Sequence, residues 1–242
     1  MNLGIEGKVA LVTASSKGLG RASAEALAAD GAKVVICARG GDALRETEQA
    51  IVAMGADVLA IESDVTQPDQ PARLVAATVE RFGGLDILVP NAGGPPPGRA
   101  SDVDDQQFLD AINNNLLTSV RLVREALPHM RATGWGRICF ITSSSIKQPI
   151  PTLTLSNSAR TGLWAWAKTL ANDVFDEGIT VNTACPGLHN TDRIRSLGNN
   201  VSGRIGDPAD FGKVVAFLCS DSASFISGTA VLVDGAMSAG LF

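Results

Sequence analysis

The 242-residue sequence contains no tyrosine, so no phenolic hydroxyl is available as an acid. Histidine is nearly as scarce, with only His129 and His189. The four cysteines, Cys37, Cys139, Cys185 and Cys219, form no C-x-x-C pair. No Cys/His cluster has metal-ligand spacing, so no metal site is predicted. The thiols read as small buried hydrophobes, and Cys185 alone stands out because it immediately precedes Pro186-Gly187. A basic excess is also missing: the formal net charge is −5 and the pI is near 5.0, which argues against a nucleic-acid-binding face. No apolar run reaches membrane-spanning length, and Met1–Lys8 lacks a basic segment followed by a long apolar stretch. The expected location is the cytoplasm, with neither nucleic acid nor membrane as partner.

What is present suits a large folded core: 45% of residues are hydrophobic and 19% charged, ordinary values for a globular chain. Short apolar runs at Val9–Thr13, Val34–Cys37, Val58–Glu62, Ile87–Pro90, Ile138–Thr142, Thr180–Ala184 and Val231–Val233 read as strands. Most are continuously apolar, as strands covered on both faces are. Between them lie helical stretches near Leu19–Asp30, Asp42–Met54, Gln70–Phe82, Asp104–Arg131, Ser158–Asp176 and Pro208–Ser220. This alternation predicts right-handed crossovers and a doubly wound Rossmann-type α/β fold, a seven-stranded parallel sheet between two helical layers. Residues 1–242 form one expected domain, because no linker, repeat or low-complexity segment interrupts them. The GGPPPG stretch at Gly93–Gly98 reads as a stiff turn. On the helix near Leu163–Phe175, the residues Leu163, Trp164, Trp166, Leu170, Val174 and Phe175 cover more of the circumference than one sheet contact needs. Its second face is expected to meet another subunit.

The first strand runs into Thr13-Ala14-Ser15-Ser16-Lys17-Gly18-Leu19-Gly20, after which a helix begins. Unpaired N–H groups and the helix dipole at that start favour an anion, and Gly18 and Gly20 permit close backbone approach to a diphosphate. The second strand ends at Cys37-Ala38-Arg39. A carboxylate here would accept from the ribose hydroxyls of NAD, whereas Arg39 suits a 2′-phosphate, with Lys17 able to add a second cation. The residues therefore predict a nicotinamide dinucleotide site that prefers NADP(H) to NAD(H).

These segments resemble the short-chain dehydrogenase/reductase superfamily, from Lys8 to Gly235. The family's glycine motif T-G-x-x-x-G-[IL]-G appears as TASSKGLG, with Ala14 in place of the first Gly. Asp64-Val65 match the pair the family places beside the adenine. Asn91-Ala92-Gly93 match the end of its N-N-A-G motif, with Pro90 in the first position. Asn115 falls at the helix-kinking catalytic Asn and Ser143 at the catalytic Ser. Pro186-Gly187 through Thr191 fit P-G-x-x-x-T, whose Thr holds the nicotinamide amide. Gly203–Pro208 and Val233-Asp234-Gly235 complete the likeness, and the 3-oxoacyl reductases are the branch it most resembles. The resemblance implies a homodimer or homotetramer and a small-molecule or carrier-tethered carbonyl substrate.

The likeness fails at the chemistry. The family's acid–base motif, Y-x-x-x-K, stands thirteen residues past the catalytic Ser, and here that segment reads Ser156-Asn157-Ser158-Ala159-Arg160. A Ser hydroxyl is a far weaker acid than a phenol, and a guanidinium does not relay a proton. Arg160 is expected to place a fixed charge near the reacting oxygen or the nicotinamide ribose, with water supplying the proton. Lys147, four residues past Ser143, and His189, inside the P-G-x-x-x-T segment, are alternative donors; imidazole is the side chain suited to that task near neutral pH. His129, late in a long helix, reads as a C-terminal cap. The segment between Thr191 and Arg204 is shorter than the family's usual lid. The sequence therefore points to an NADP(H)-dependent oxidoreductase of carbonyls or secondary alcohols. Two rivals stand beside it: a dinucleotide-binding protein without turnover, acting as a sensor or oligomer partner, and a lyase or isomerase that retains the cofactor.

Overall fold

A computed structural model describes residues 2–195 and 204–240. Seven parallel strands run in the order β3-β2-β1-β4-β5-β6-β7: β1 Val9–Val12, β2 Lys33–Ala38, β3 Val58–Glu62, β4 Ile87–Val89, β5 Gly136–Ile141, β6 Ile179–Pro186 and β7 Ala230–Val233. The helices are α1 Gly18–Ala29, α2 Gly41–Ala53, α3 Gln70–Phe82, α4 Asp105–Ile112, α5 Thr118–Thr133, α6 Thr154–Val174, the short α7 Asp192–Arg195, and α8 Pro208–Leu218. The strand order reverses direction at β1 and β4, which opens a crevice at the carboxyl end of the sheet.

Alternation along each strand builds two cores rather than one. Ala10, Val12, Val34, Ile36, Val89 and Ile141 meet α1, α2 and α8. Their neighbours Leu11, Val35, Leu88, Ile138 and Phe140 meet α3, α5 and α6 on the other face. Both faces of a parallel strand are thus apolar because both are covered. On the first face α8 lies close across α1, and Gly212 is required there: a Cβ would run into the carbonyl oxygen of Ala22.

The long helix expected over Asp104–Arg131 is divided. Asp104 caps α4 through a reciprocal box with Gln107, at 2.8 and 3.0 Å. Asn113–Leu117 then form a π-helical turn before α5 begins. Apolar spacing carries no mark of one extra residue in a turn, which is why the break was not legible. Helix α6 also begins earlier than Ser158, at Thr154, and so takes Ser156 into its first turn.

The two tryptophans on that second face also make contacts within this chain. Trp166 meets Phe140 edge-on, with ring centroids 6.1 Å apart, and Trp164 lies 4.2 Å beneath the Lys147 ammonium. No helix among the described residues is long and apolar enough to cross a membrane.

Candidate active site

Two adjoining depressions occupy the crevice. The first, about 580 Å³, lies between the β1–α1 loop, the end of β2 and the loop after β3; Ser16, Lys17, Arg39, Asp64 and Val65 line it. The second, about 440 Å³, lies over the ends of β4, β5 and β6; Ser143, Ser156, Arg160, Pro186, Gly187, His189 and Thr191 line it. Lys17, Ala92, Gly93 and Gly94 border both.

The β1–α1 loop is held by its neighbours. Thr13 Oγ1 donates to the Asn91 carbonyl at 2.7 Å and accepts from Asn91 N–H at 2.8 Å. Asn91 Nδ2 donates to the Ala14 carbonyl at 3.1 Å, and Ser15 Oγ accepts from Cys37 N–H at 3.0 Å. Ala14 sits at φ 47, a left-handed conformation in which a Gly is more at ease. Gly20 must be Gly: a Cβ would strike the Ala14 carbonyl oxygen and lie 2.7 Å from Asn91 Nδ2. Thr13, Ser15 and Gly20 thus shape the loop from behind, while Ser16, Lys17, Gly18 and Leu19 face the depressions. The N-cap of α1, Lys17, makes no side-chain capping bond, which leaves the first-turn N–H groups to an anion. These features fit a dinucleotide: open amides for its diphosphate, and Arg39 at the far wall for an added phosphoryl group.

Lys17 has a partner on α7. Its ammonium lies 3.8 Å from Asp192, so it bridges the phosphate loop to that helix while lining the depression that Arg39 also lines. Gly18 touches the same region, since a Cβ on it would stand 3.3 Å from Thr191 Cγ2.

Arg160 is held by backbone carbonyls. Its guanidinium donates to the carbonyls of Ile141 at 3.0 Å and Thr142 at 3.1 Å, and to Ala92 at 3.4 Å. No carboxylate partners it among these bonds. Burial, with the charge of Arg193 adding to it, pushes its pKa down to about 10, so it is charged at neutral pH. The side chain lines the second depression and also braces the ends of β4 and β5. Spacing alone showed the residue but not these carbonyls, which come from two other segments of the chain.

Ser143 follows β5, and its hydroxyl accepts from Ser145 N–H at 3.1 Å. Ser156 is buried on α6, one turn before Arg160. Asn115 lies in the π-turn, buried and outside the lining of both depressions, whereas Asn114 reaches the first. Its Nδ2 donates to the Ala111 carbonyl at 3.4 Å, and its Oδ1 has no partner among the described residues. Of the alternative donors, His189 is buried, lines the second depression, and stands edge-on to Phe211 at 5.3 Å with Nδ1 3.4 Å from the Gly187 carbonyl. Lys147 is turned toward Trp164 and lines neither depression. His129 lies on α5, away from both. The short lid segment falls mostly in residues 196–203, outside the described residues. Among the described residues no group of His, Cys, Asp and Glu could hold a metal ion.

One contributor to the cavity wall was missed in the sequence. Arg193, two residues past Thr191, lines the second depression from α7. A cation directly after the P-G-x-x-x-T segment was the available signal.

A seven-stranded parallel sheet with its crevice at the strand-order reversal defines a Rossmann-type α/β enzyme fold. The family model described as enoyl-(acyl carrier protein) reductase matches residues 13–238. Versicolorin reductase 1 of Aspergillus parasiticus is 34% identical, over 96% of each chain. The 3-oxoacyl-acyl-carrier-protein reductase FabG of Escherichia coli is 35% identical, over 97% of this chain and 99% of the relative. L-Sorbose reductase from Gluconobacter frateurii, solved with NADPH and L-sorbose, superposes with a TM-score of 0.93 at 32% identity and covers 100% of both chains. The chain belongs to the short-chain dehydrogenase/reductase family and is one of its oxidoreductases.

Proposed function

We propose that the chain is an NADP(H)-dependent oxidoreductase of carbonyl or secondary-alcohol substrates, in which Ser156 and Arg160 hold the positions the family gives to Tyr and Lys. The observation that carries this reading is the convergence of Ser143, Ser156 and Thr191 on one cavity, beside a cleft that ends in Arg39. The 3-oxoacyl reductases and L-sorbose reductase among the relatives support the substrate class, and the NADPH in the sorbose reductase structure supports the cofactor. Carrier-tethered carbonyl compounds belong to that class, and a cytoplasmic homodimer or homotetramer is the proposed form of the protein.

Bound, the dinucleotide supplies or accepts the hydride. Lys17, Gly18 and Leu19 with the α1 amides hold its diphosphate, Arg39 its 2′-phosphate, and Asp64-Val65 flank its adenine. Asn91, Ala92 and Gly93 form the floor between the two halves. Pro186, Gly187 and Thr191 orient the nicotinamide amide. The Ser143 hydroxyl donates to the substrate oxygen, where negative charge develops. Ser156 passes on a hydrogen bond, Arg160 holds the strand ends that carry Ser143 and Ala92, and Asn115 positions α6 through the π-turn. The proton comes from water or from His189, whose ring lines the cavity.

Oxidation of NADPH across a panel of ketones and aldehydes, lost in Ser143→Ala, is the expected outcome. Tight NADPH binding with no turnover of any carbonyl or alcohol overturns it. That result would favour the second reading, a dinucleotide-binding protein that does not turn over, which the commitment of Arg160 to backbone carbonyls supports. A product formed without net change in NADPH absorbance would indicate a lyase or isomerase.

A further inference from the structure

Beside its polar groups, the second depression is lined by an aliphatic set: Ile150, Leu153, Leu188, Ile194 and Met237. No Phe or Trp lines it among the described residues. Ile150 is 38% exposed and Met237 42%, so both keep apolar surface that the rest of the chain does not cover. An apolar ligand displaces water from such surface favourably.

These side chains are held in place by polar contacts around them. Asn157 Nδ2 donates to the Ile150 carbonyl at 2.9 Å. Gly98 N–H donates to the Thr152 carbonyl at 2.9 Å and its carbonyl accepts from Thr154 N–H at 3.3 Å, which fixes Leu153 between them. Met237 is carried by the segment after β7. There Gly235 and Ala236 both hold left-handed backbone, at φ 63, which turns the chain back. Asp234 fastens this turn, its carboxylate accepting from Ala236 N–H at 3.0 Å and Ser238 N–H at 2.9 Å. Arg204 Nη1 donates to the Gly235 carbonyl at 2.7 Å. Further on, Ala239 N–H donates to Gln148 Oε1 at 2.7 Å, and Gln148 belongs to the loop after β5. Strand β6 lies between β5 and β7, so the segment spans the end of β6 as a strap. It passes close to Gly187, where a Cβ would stand 2.6 Å from Asp234 Cβ. Met237 stands between the two fastenings and lines the same cavity as Ser143, Ser156 and Thr191.

Resting on the oxidoreductase reading, we propose that Met237 is a specificity-determining residue: fastened across the end of β6 by Asp234 and Gln148, it completes with Ile150 and Leu153 a wall for the aliphatic body of the substrate. The preferred substrates are then ketones and aldehydes that carry an alkyl chain rather than a row of hydroxyls. Asp234 and Gln148 are positioning residues for Met237. The rival occupant of an exposed apolar wall is a second copy of this chain, and the test separates the two.

The test follows NADPH-dependent reduction of butan-2-one, hexan-2-one, octan-2-one and L-sorbose by the full-length protein. Each methylene that reaches the wall is expected to raise kcat/KM by about fourfold, the fold-change of one buried methylene. Hexan-2-one should therefore exceed butan-2-one by about tenfold or more, and exceed L-sorbose, a ketone of the same carbon number. Met237→Gln lowers the increment per methylene and Met237→Leu keeps it. The loss falls on KM more than on kcat, because the wall grips the body of the substrate and not its reacting carbon. Gln148→Ala lowers the increment as well, while Gln148→Glu, which keeps the acceptor for Ala239, retains it. A rate indifferent to chain length, a preference for L-sorbose, or an increment that survives Met237→Gln in full overturns the proposal. So does a Met237→Gln protein whose oligomeric state changes in sedimentation while its increment stays, since the wall then meets another copy. A binding arm separates this proposal from the reading it rests on: the three alkanones are titrated calorimetrically into NADP⁺-loaded protein. Affinity that climbs with chain length, and climbs less in Met237→Gln, upholds the wall even without turnover. Affinity independent of chain length overturns it.

Discussion

Arg160, in the second turn of α6, donates to the carbonyl oxygen of Ile141, the last residue of β5, at 3.0 Å. With Thr142 and Ala92 as further acceptors, one side chain ties a helix to two strand ends. Arg160→Met is expected to cost about 1–3 kcal/mol, the range for leaving a buried polar group unpaired. Arg160→Lys should recover only part of that, because an ammonium does not span the same acceptors. Urea denaturation checks both. The Arg160 pKa, pushed down to about 10 by burial and by Arg193, also fixes a sign. Keeping the charge buried costs stability at every pH below about 10, and the cost is relieved only above it. Arg160 should therefore add no slope to stability between pH 6 and 9.

Catalysis is expected to depend on Ser143 more than on Ser156. Ser143→Ala should lower kcat by about 10²–10³, the usual loss for one donor at a developing oxyanion. Ser156→Ala should lower it by less than about tenfold. The paired change Ser156→Tyr with Arg160→Lys supplies an acid and should raise kcat by at least about tenfold, toward the 10²–10⁴ that general acid catalysis contributes. Steady-state NADPH oxidation on one shared substrate checks all three.

Cofactor choice should turn on Arg39. The protein is expected to bind NADPH at least about tenfold more tightly than NADH, which corresponds to about 1.4 kcal/mol. Arg39→Asp should reverse that order, because a carboxylate repels the 2′-phosphate and accepts from ribose hydroxyls. Fluorescence titration with each dinucleotide checks it; equal affinities in both proteins would remove Arg39 from the site.

Ala14→Gly is expected to stabilise the fold. The left-handed backbone at φ 47 costs a residue with a Cβ about 1–2 kcal/mol. The greater freedom of Gly in the unfolded chain offsets about 0.4–1 kcal/mol of that. A net gain of about 0.5–1 kcal/mol should appear as a raised melting temperature.

The thiols predict alkaline behaviour. Burial pushes the Cys37 pKa up to about 12, against a smaller lowering by the Ala14 backbone, and the Cys185 pKa up to about 11, against a hydrogen bond from Thr142. In the unfolded chain these thiols ionise near 9, so the stability gained by keeping them neutral is present below that pH. It is lost as pH rises through the folded values. Unfolding free energy should fall between pH 9 and about 11, and Cys37→Ala with Cys185→Ala should flatten that slope. Native protein should be slow to react with a thiol reagent at pH 8, and all four cysteines should react once it is unfolded.

The sheet was legible because its signals are local: a buried parallel strand writes itself as an unbroken apolar run, and Val9–Val12 or Ile138–Ile141 does so within a few residues. The phosphate loop was legible for the same reason, since Gly18 and Gly20 sit directly after a strand. What the sequence concealed depends on contacts between distant segments. The acceptors of Arg160 lie 18 to 68 residues away, and Lys17 meets Asp192 from the opposite end of the chain. The contacts of the two α6 tryptophans, to Phe140 and Lys147, likewise join segments that are not near neighbours in the chain.

The π-turn at Asn113–Leu117 has a consequence for insertions and deletions. One added residue in a helical turn swings everything after it by about 100° around the axis. The wide turn at Asn113–Leu117 absorbs one such residue, so Val120, Leu122, Val123 and Ala126 face the sheet; a further added residue, with no wide turn to absorb it, would roll them off together. Length in this segment is thus far less free to drift than in the neighbouring surface loops, although nothing in its composition marks it as constrained.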